Sequence, residues 1–169
     1  LAIGIGGSQV TLPGGTVVAN EDLARYDIAT RAFAQWLDGS DVGLGPTSIA
    51  GLAFLANGDL ALSFNDVVSL PGLVGGPNGT FVEPRDIVRF TPSSPVAMTT
   101  GTWTFMFDGS DVGLTQAAES IDALEVLPDG SILLSTIGSF AVPGVRGTAH
   151  DVVRFVPTAQ GAATTGTWG

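Results

Sequence analysis

The chain has 169 residues, 44% of them hydrophobic, and a formal net charge of −10 that six arginines and no lysine oppose. That length suits a single core, the acidic balance excludes a phosphate-backbone partner, and the lack of cysteine excludes disulfides and thiolate metal sites. No apolar run reaches the roughly 18–20 residues of a membrane span, and the opening "LAIGIGGSQV" has neither the basic start nor the cleavage pattern of a signal peptide, so if the protein is secreted its export signal is expected to have been removed or to lie outside this stretch.

In chain order, "VTLPGG" (10–15) and "EDLARY" (21–26) are read as a turn-bearing segment and a strand, followed by "DGSDVGL" at 38–44. Ile49–Leu55 reads as a strand ending at "NGD", where Asn beside Gly suits a tight hairpin. The next strand alternates Leu60, Leu62 and Phe64 with Ala61 and Ser63, and its later counterpart "ILLSTIGSF" is apolar on both phases, so both faces are expected to be buried. A loop beginning "PG" at 71–72 leads to the strand "DIVRF" (86–90). In "TWTFMF", Trp103, Phe105 and Phe107 alternate with Thr102, Thr104 and Met106, the period of a half-buried outer strand.

From Asp108 the series starts again. "DGSDVGL" recurs at 108–114, "LAFLANGDLALS" (52–63) returns as "LEVLPDGSILLS" (124–135), "DIVRF" as "DVVRF" (151–155), and "TTGTW" stands at both 99–103 and 164–168. "VTLPGG", "VSLPGL" (68–73) and "FAVPGV" (140–145) occupy one place, and "EDLARY" takes that of "DIVRF" in a weaker third copy. A unit of four antiparallel strands with apolar faces cannot cover itself, so tandem copies must stack. The fold expected is all-β: four-stranded antiparallel blades, β-propeller-like. In frame, residues 1–43 form a partial blade (strands 2–4), 44–113 a complete one, and 114–169 a partial one (strands 1–3), ten strands in all. The chain is then a section of a longer repeat protein or completes its sheets by pairing with copies of itself.

"FDGSDVGL", "DALEVLPDGSILLS", the "PG" loop, "DVVRF" and "TTGTW", in this order, resemble the tandem repeats of secreted bacterial multidomain proteins, a family without a characterised function, and do so over nearly the whole chain. "PDGSILLS" followed by "DVVRF" is similar, more loosely, to NHL-type propellers. The resemblance implies an extracellular or cell-surface location.

The antiparallel third and fourth strands bring Asp86 near Asp108 and Asp111, and Asp22, beside Glu21, near Asp38 and Asp41. Three close carboxylates repel unless neutralised, and two readings stay open. Calcium would be held by these oxygens with backbone carbonyls; alternatively "DGSD" is a turn whose side chains bond nearby N–H groups, neutralised by Arg25, Arg89 and Arg154, which recur in register. The spacing fits neither an EF-hand loop nor a sialidase-type aspartate box. Asp122 extends the acidic group in one copy alone, since its counterpart is Ala50.

No catalytic residue is identified. His150 aligns with Glu21 and Arg85 and is expected at a surface loop end. Ser8 and Ser139 lack a nucleophile elbow, "GIGGS" (4–8) lacks the Lys-Ser/Thr pair of a phosphate loop, and carboxylate pairs that recur with the repeat suit scaffolding better than glycoside cleavage. "NGT" at Asn78–Thr80 matches a glycosylation sequon but is first a turn. The "PG" loops (13–22, 71–86, 143–151) are expected on the same side as the acidic turns, where loops of variable length carry recognition. The function expected is a non-catalytic extracellular scaffold or binding module for a protein or glycan. The alternatives are a hydrolase whose centre lies on a complete propeller beyond this stretch, and a subunit of a surface filament or layer joined by strand edges.

Overall fold

The computed structural model describes residues 2–4, 9–93 and 100–169; most of "GIGGS", with Ser8, and the leading Thr99 of the first "TTGTW" lie outside them. Among the described residues the regular structure is strand and short 3-10 turn, so the fold is all-β. The strands close no barrel. They form three larger antiparallel sheets and three two-stranded ribbons.

The first sheet joins β1 (Ala2–Gly4) to β4 (Leu23–Asp27) and β5 (Ala32–Leu37), with a ribbon of β2 (Gln9–Thr11) and β3 (Val17–Ala19) inserted between. The second contains β6 (Ile49–Phe54), β7 (Leu60–Phe64), β10 (Ile87–Pro92) and β11 (Gly101–Phe107); its ribbon is β8 (Val68–Ser69) with β9 (Phe81–Val82). The third repeats that order with β12 (Ile121–Val126), β13 (Ile132–Thr136), β16 (Val153–Ala159) and β17 (Thr165–Trp168), and its ribbon is β14 (Phe140–Val142) with β15 (Val145–Gly147). The last sheet therefore has four strands, where the sequence frame counted three. "TTGTW" does more than open a fourth strand: Thr165–Trp168 pair with Phe155–Ala159 across a bulge near Pro157, placing Trp168 opposite Phe155.

The hairpin turns form where expected. Leu55 N–H donates to Asp59 O at 2.9 Å and Leu127 N–H to Ser131 O at 2.8 Å.

Two apolar cores lie between successive sheets. In the first, Leu23, Leu37, Val42 and Leu44 meet Leu62, Phe64, Phe90 and Trp103. In the second, Ala53, Ala61, Ile87 and Phe107 meet Leu124, Leu134, Val153 and Phe155. The second sheet thus presents Leu62, Phe64, Phe90 and Trp103 to the first sheet, and Ala53, Ala61 and Ile87 together with the larger Phe107 to the third. All of β7 is buried, as its two-faced apolar pattern requires, whereas β13 keeps Leu133 and Ser135 half-buried, since among the described residues no sheet covers that side.

The alternation expected in β11 breaks at its end. The β10–β11 register shifts between Ile87 and Val88, leaving Met106 as an extra residue, and a bulge of this kind turns the strand beyond it over. Trp103 and Phe105 consequently face the first sheet, and Phe107 faces the third. The same shift occurs between Leu23 and Ala24, opposite Trp36. A second matched pair of bulges falls at Ala50 and Asp122.

Candidate functional site

The acidic turns lie where the sequence puts them, and their atoms show what the repeated heptapeptide does. Ser40–Val42 and Ser110–Val112 are single 3-10 turns, each closed by a glycine in the left-handed region, Gly43 at φ 85° and Gly113 at φ 103°. Within each turn the first aspartate caps the serine. Asp38 Oδ1 accepts from Ser40 N–H (3.2 Å) and Oγ–H (2.6 Å), and Asp108 Oδ1 accepts from Ser110 N–H (2.9 Å) and Oγ–H (2.6 Å).

Asp22 and Asp86 immediately precede the strands β4 and β10 and tie the loop end to the turn. Asp22 accepts from Ala19 N–H at 2.8 Å and Gly39 N–H at 3.0 Å. Asp86 accepts from Glu83 N–H at 2.8 Å and Gly109 N–H at 3.3 Å. Both are buried, and a buried carboxylate is tolerated only with such donors. Asp151 repeats half of this, taking Thr148 N–H at 2.8 Å, and is exposed. Burial pushes the Asp86 carboxyl up to about 7; the charges of Asp108 and Glu83 push the same way, and the two N–H donors oppose them.

Asp111 reaches into the following unit. Its Oδ2 accepts from Thr164 N–H at 2.9 Å, while Asp108 N–H donates to Thr164 Oγ1 at 2.9 Å. The carbonyl of the next residue, Val112, accepts the Trp168 indole N–H at 2.8 Å, and Val42 accepts that of Trp103 at 2.9 Å. Gly43 lies where a Cβ would stand 2.6 Å from Pro71 Cδ, and Gly113 where it would stand 2.9 Å from Pro143 Cδ. "DGSDVGL" of one unit therefore grips the "PG" loop and the "TTGTW" strand of the next. These motifs recur together because they touch.

The carboxylates expected as calcium ligands thus have N–H and hydroxyl partners at Asp22, Asp38, Asp86 and Asp108, and Asp111 has the amide of Thr164; Asp41 is exposed. Among the described residues no three acidic or imidazole side chains are grouped to hold a metal ion. Asp122 holds Ser135 Oγ–H at 2.6 Å.

The arginines do not neutralise these turns. Arg89 and Arg154 stand three residues beyond Asp86 and Asp151, about 10 Å along the chain at roughly 3.3 Å per residue, and reach the hairpin turns: Arg89 Nε lies 3.6 Å from Asp59 and Arg154 pairs with Asp129. Arg25 is exposed on β4 and acts on Asp27. Sequence reasoning missed Glu119, buried after a capping box with Gln116. Burial opposes its ionisation, but the N–H groups of Ala141, Gln116 and Thr115, with the charge of Arg85, hold its carboxyl below the usual range. The pattern Gln116-x-x-Glu119 carries the glutamate of a capping box but not its usual Ser or Thr.

His150 is exposed in the turn before β16, and Ser139 is exposed as well. Asn78 is exposed at a turn closed by Phe81 N–H to Asn78 O at 3.3 Å. Compared with known proteins, the chain matches no family model and no curated protein.

Proposed function

We propose that the chain is a non-catalytic scaffold or binding module that works outside the cell, a β-propeller-like stack of the kind repeated in secreted bacterial multidomain proteins. Its mechanism is presentation. The observation that carries the reading is the use of the acidic turns: the carboxylates that would serve catalysis are committed to N–H donors, at Asp108 within the turn, at Asp22 and Asp86 between loop, strand and turn, and at Asp111 between one unit and the next.

What that lock leaves for recognition is the loops. The 71–86 loop is fixed at both ends, starting against Gly43 and ending at Asp86, while the 143–151 loop starts against Gly113 and the 13–22 loop ends at Asp22. The longest, 71–86, carries exposed Val74 and Phe81, and Val67 is exposed just before its ribbon. Exposed apolar side chains on a rigid loop suit a protein or glycan partner.

The test exchanges the loop between Pro71 and Asp86 for the shorter one between Pro143 and Asp151, and measures binding to a panel of surface polysaccharides and extracellular protein domains. Binding by the parent and its loss in the exchange, at unchanged melting temperature, is expected. Turnover of a glycoside, ester or peptide substrate by the purified chain would overturn the reading in favour of a hydrolase.

A further inference from the structure

The second and third units carry an arginine at the same place and use it differently. In the third, Arg154 Nε–H donates to Ser131 Oγ at 3.0 Å and Nη2–H donates to Asp129, so the hairpin turn takes up the guanidinium. In the second, Asn57 and Asp59 stand in the places of Asp129 and Ser131. There the Asn57 amide donates to Asp59 Oδ2 at 2.9 Å, and Arg89 Nε lies 3.6 Å from that oxygen, beyond hydrogen-bond reach. Asp59 thus balances the charge of Arg89 without occupying its donors. Arg89 Nε is buried with no hydrogen-bond partner, while the side chain as a whole is 43% exposed.

This arginine lines a cleft of about 360 Å³ between the second and third sheets. Arg89 pairs with Ala61 across the strands; such partners share a face, and Ala61 packs toward the third sheet. Leu55, Met106 and Val126 give the cleft apolar walls, and Thr104 and Gln160 give it polar ones. The Gln160 side is fixed, because Gly161 N–H donates to Met106 O at 2.8 Å. At the matching place between the first and second sheets, Trp36 stands for Met106 and Phe54 for Val126, and their rings stack at 5.2 Å and 21°. The cleft opens where two smaller side chains replace that stack.

We infer that the cleft between the second and third sheets binds the carboxylate of a uronic acid, free or within an acidic polysaccharide, with Arg89 as the anion's partner. A guanidinium offers a carboxylate two parallel N–H donors, and charge-assisted bonds of this kind are stronger than neutral ones. The volume lies at the small end of the roughly 300–1,000 Å³ range of small-molecule sites, which suits a single ring. A sugar ring has both surfaces that the walls require: C–H groups for Met106 and Val126, and hydroxyls for the Gln160 amide and the Thr104 hydroxyl. The chain's net charge of −10 opposes an anion at long range. Salt screens that opposition beyond about 8 Å under physiological conditions, so recognition rests on contact with Arg89.

None of the cleft's walls belongs to a "PG" loop, so this inference is separate from the loop reading and survives a loop exchange that changes nothing. The isotope-labelled chain is titrated with galacturonate, galactose, benzoate and a galacturonate oligosaccharide, and binding is read from shifts in its nuclear magnetic resonance spectrum. Galacturonate should saturate the chain. Galactose, which has a hydroxymethyl group in place of the carboxylate, should bind about tenfold more weakly or worse. Arg89→Gln should weaken galacturonate about tenfold or more, and Val126→Phe, which fills the cleft as Phe54 helps fill the first, should abolish binding. Arg154→Gln, the control, should bind as the parent does. An oligosaccharide that binds at least as tightly as the free acid assigns the site to a polymer, and one that fails while the free acid binds assigns it to the monomer. No saturation by either overturns the inference; so does Arg89→Gln binding as the parent does, or benzoate or galactose binding as tightly as galacturonate.

Discussion

The indole N–H of Trp103 donates to the carbonyl oxygen of Val42 across 2.9 Å, joining the outer strand of the second sheet to the acidic turn of the first. Trp168 and Val112 repeat the bond one unit later at 2.8 Å. Trp103 is 2% exposed, so neither group has water to turn to. Trp103→Phe keeps the ring and removes the donor; the orphaned carbonyl should cost about 1–3 kcal/mol. Urea denaturation followed by circular dichroism reads this, and a loss below about 0.5 kcal/mol would mean that the bond contributes packing geometry and no more.

Gly109 carries a different constraint. A Cβ there would stand 2.3 Å from Arg85 O, a backbone atom that cannot give way without moving the start of β10. Gly109→Ala should therefore destabilise by about 1–3 kcal/mol or more through overpacking. Gly45, where an added Cβ would meet nothing within 4 Å, is the control; Gly45→Ala should stay within about 0.5 kcal/mol. Equal effects would show that the turn does not rest on the loop end as described.

The acidic turns also predict a response to calcium. Since Asp38 and Asp108 cap their own serines and Asp111 holds Thr164, the oxygens are satisfied without an ion. Melting temperature should not change between chelator and millimolar calcium. Asp111→Ala should cost about 1–2 kcal/mol by stranding the Thr164 N–H, and calcium should not restore it. A calcium-dependent rise in the parent would return these residues to the role of ligands.

The repeat was legible because it is chemical as well as numerical: "DGSDVGL", "PG" and "TTGTW" recur together, and Asp111, Val112, Gly113, Pro143, Thr164 and Trp168 prove to be one joint. Strand pairing and hairpins followed from alternation and from Asn or Asp beside Gly. The bulges at Met106 and Asp122 were hidden, because alternation cannot show a residue that the partner strand skips. The arginines were misplaced for a related reason. Recurrence in register marks Arg89 and Arg154 as structural but does not say which end of the strand their long side chains reach, and both run to the hairpins.

Stability should depend on pH in a direction set by Asp86. Burial raises its folded-state value to about 7 from an ordinary 3.8, so between these values the folded chain binds more protons than the unfolded one. Its contribution is present in full below about 3.8 and is lost as pH rises through about 7. Glu119 works the other way: its carboxyl is held below the usual range, so its contribution is present above the ordinary carboxylate range and is lost as pH falls through its lowered folded-state value. Exposed Asp129, capped by Ser131 and beside Arg154, shifts in the same sense as Glu119. Stability measured by urea denaturation should therefore fall from about pH 4 toward pH 7 and fall again in stronger acid. Asp86→Asn cannot ionise and should flatten the first slope while leaving the acid limb. If the slope between about pH 4 and 7 survives in Asp86→Asn, another group carries it, and the raised value does not belong to the carboxyl that ties Glu83 to Gly109.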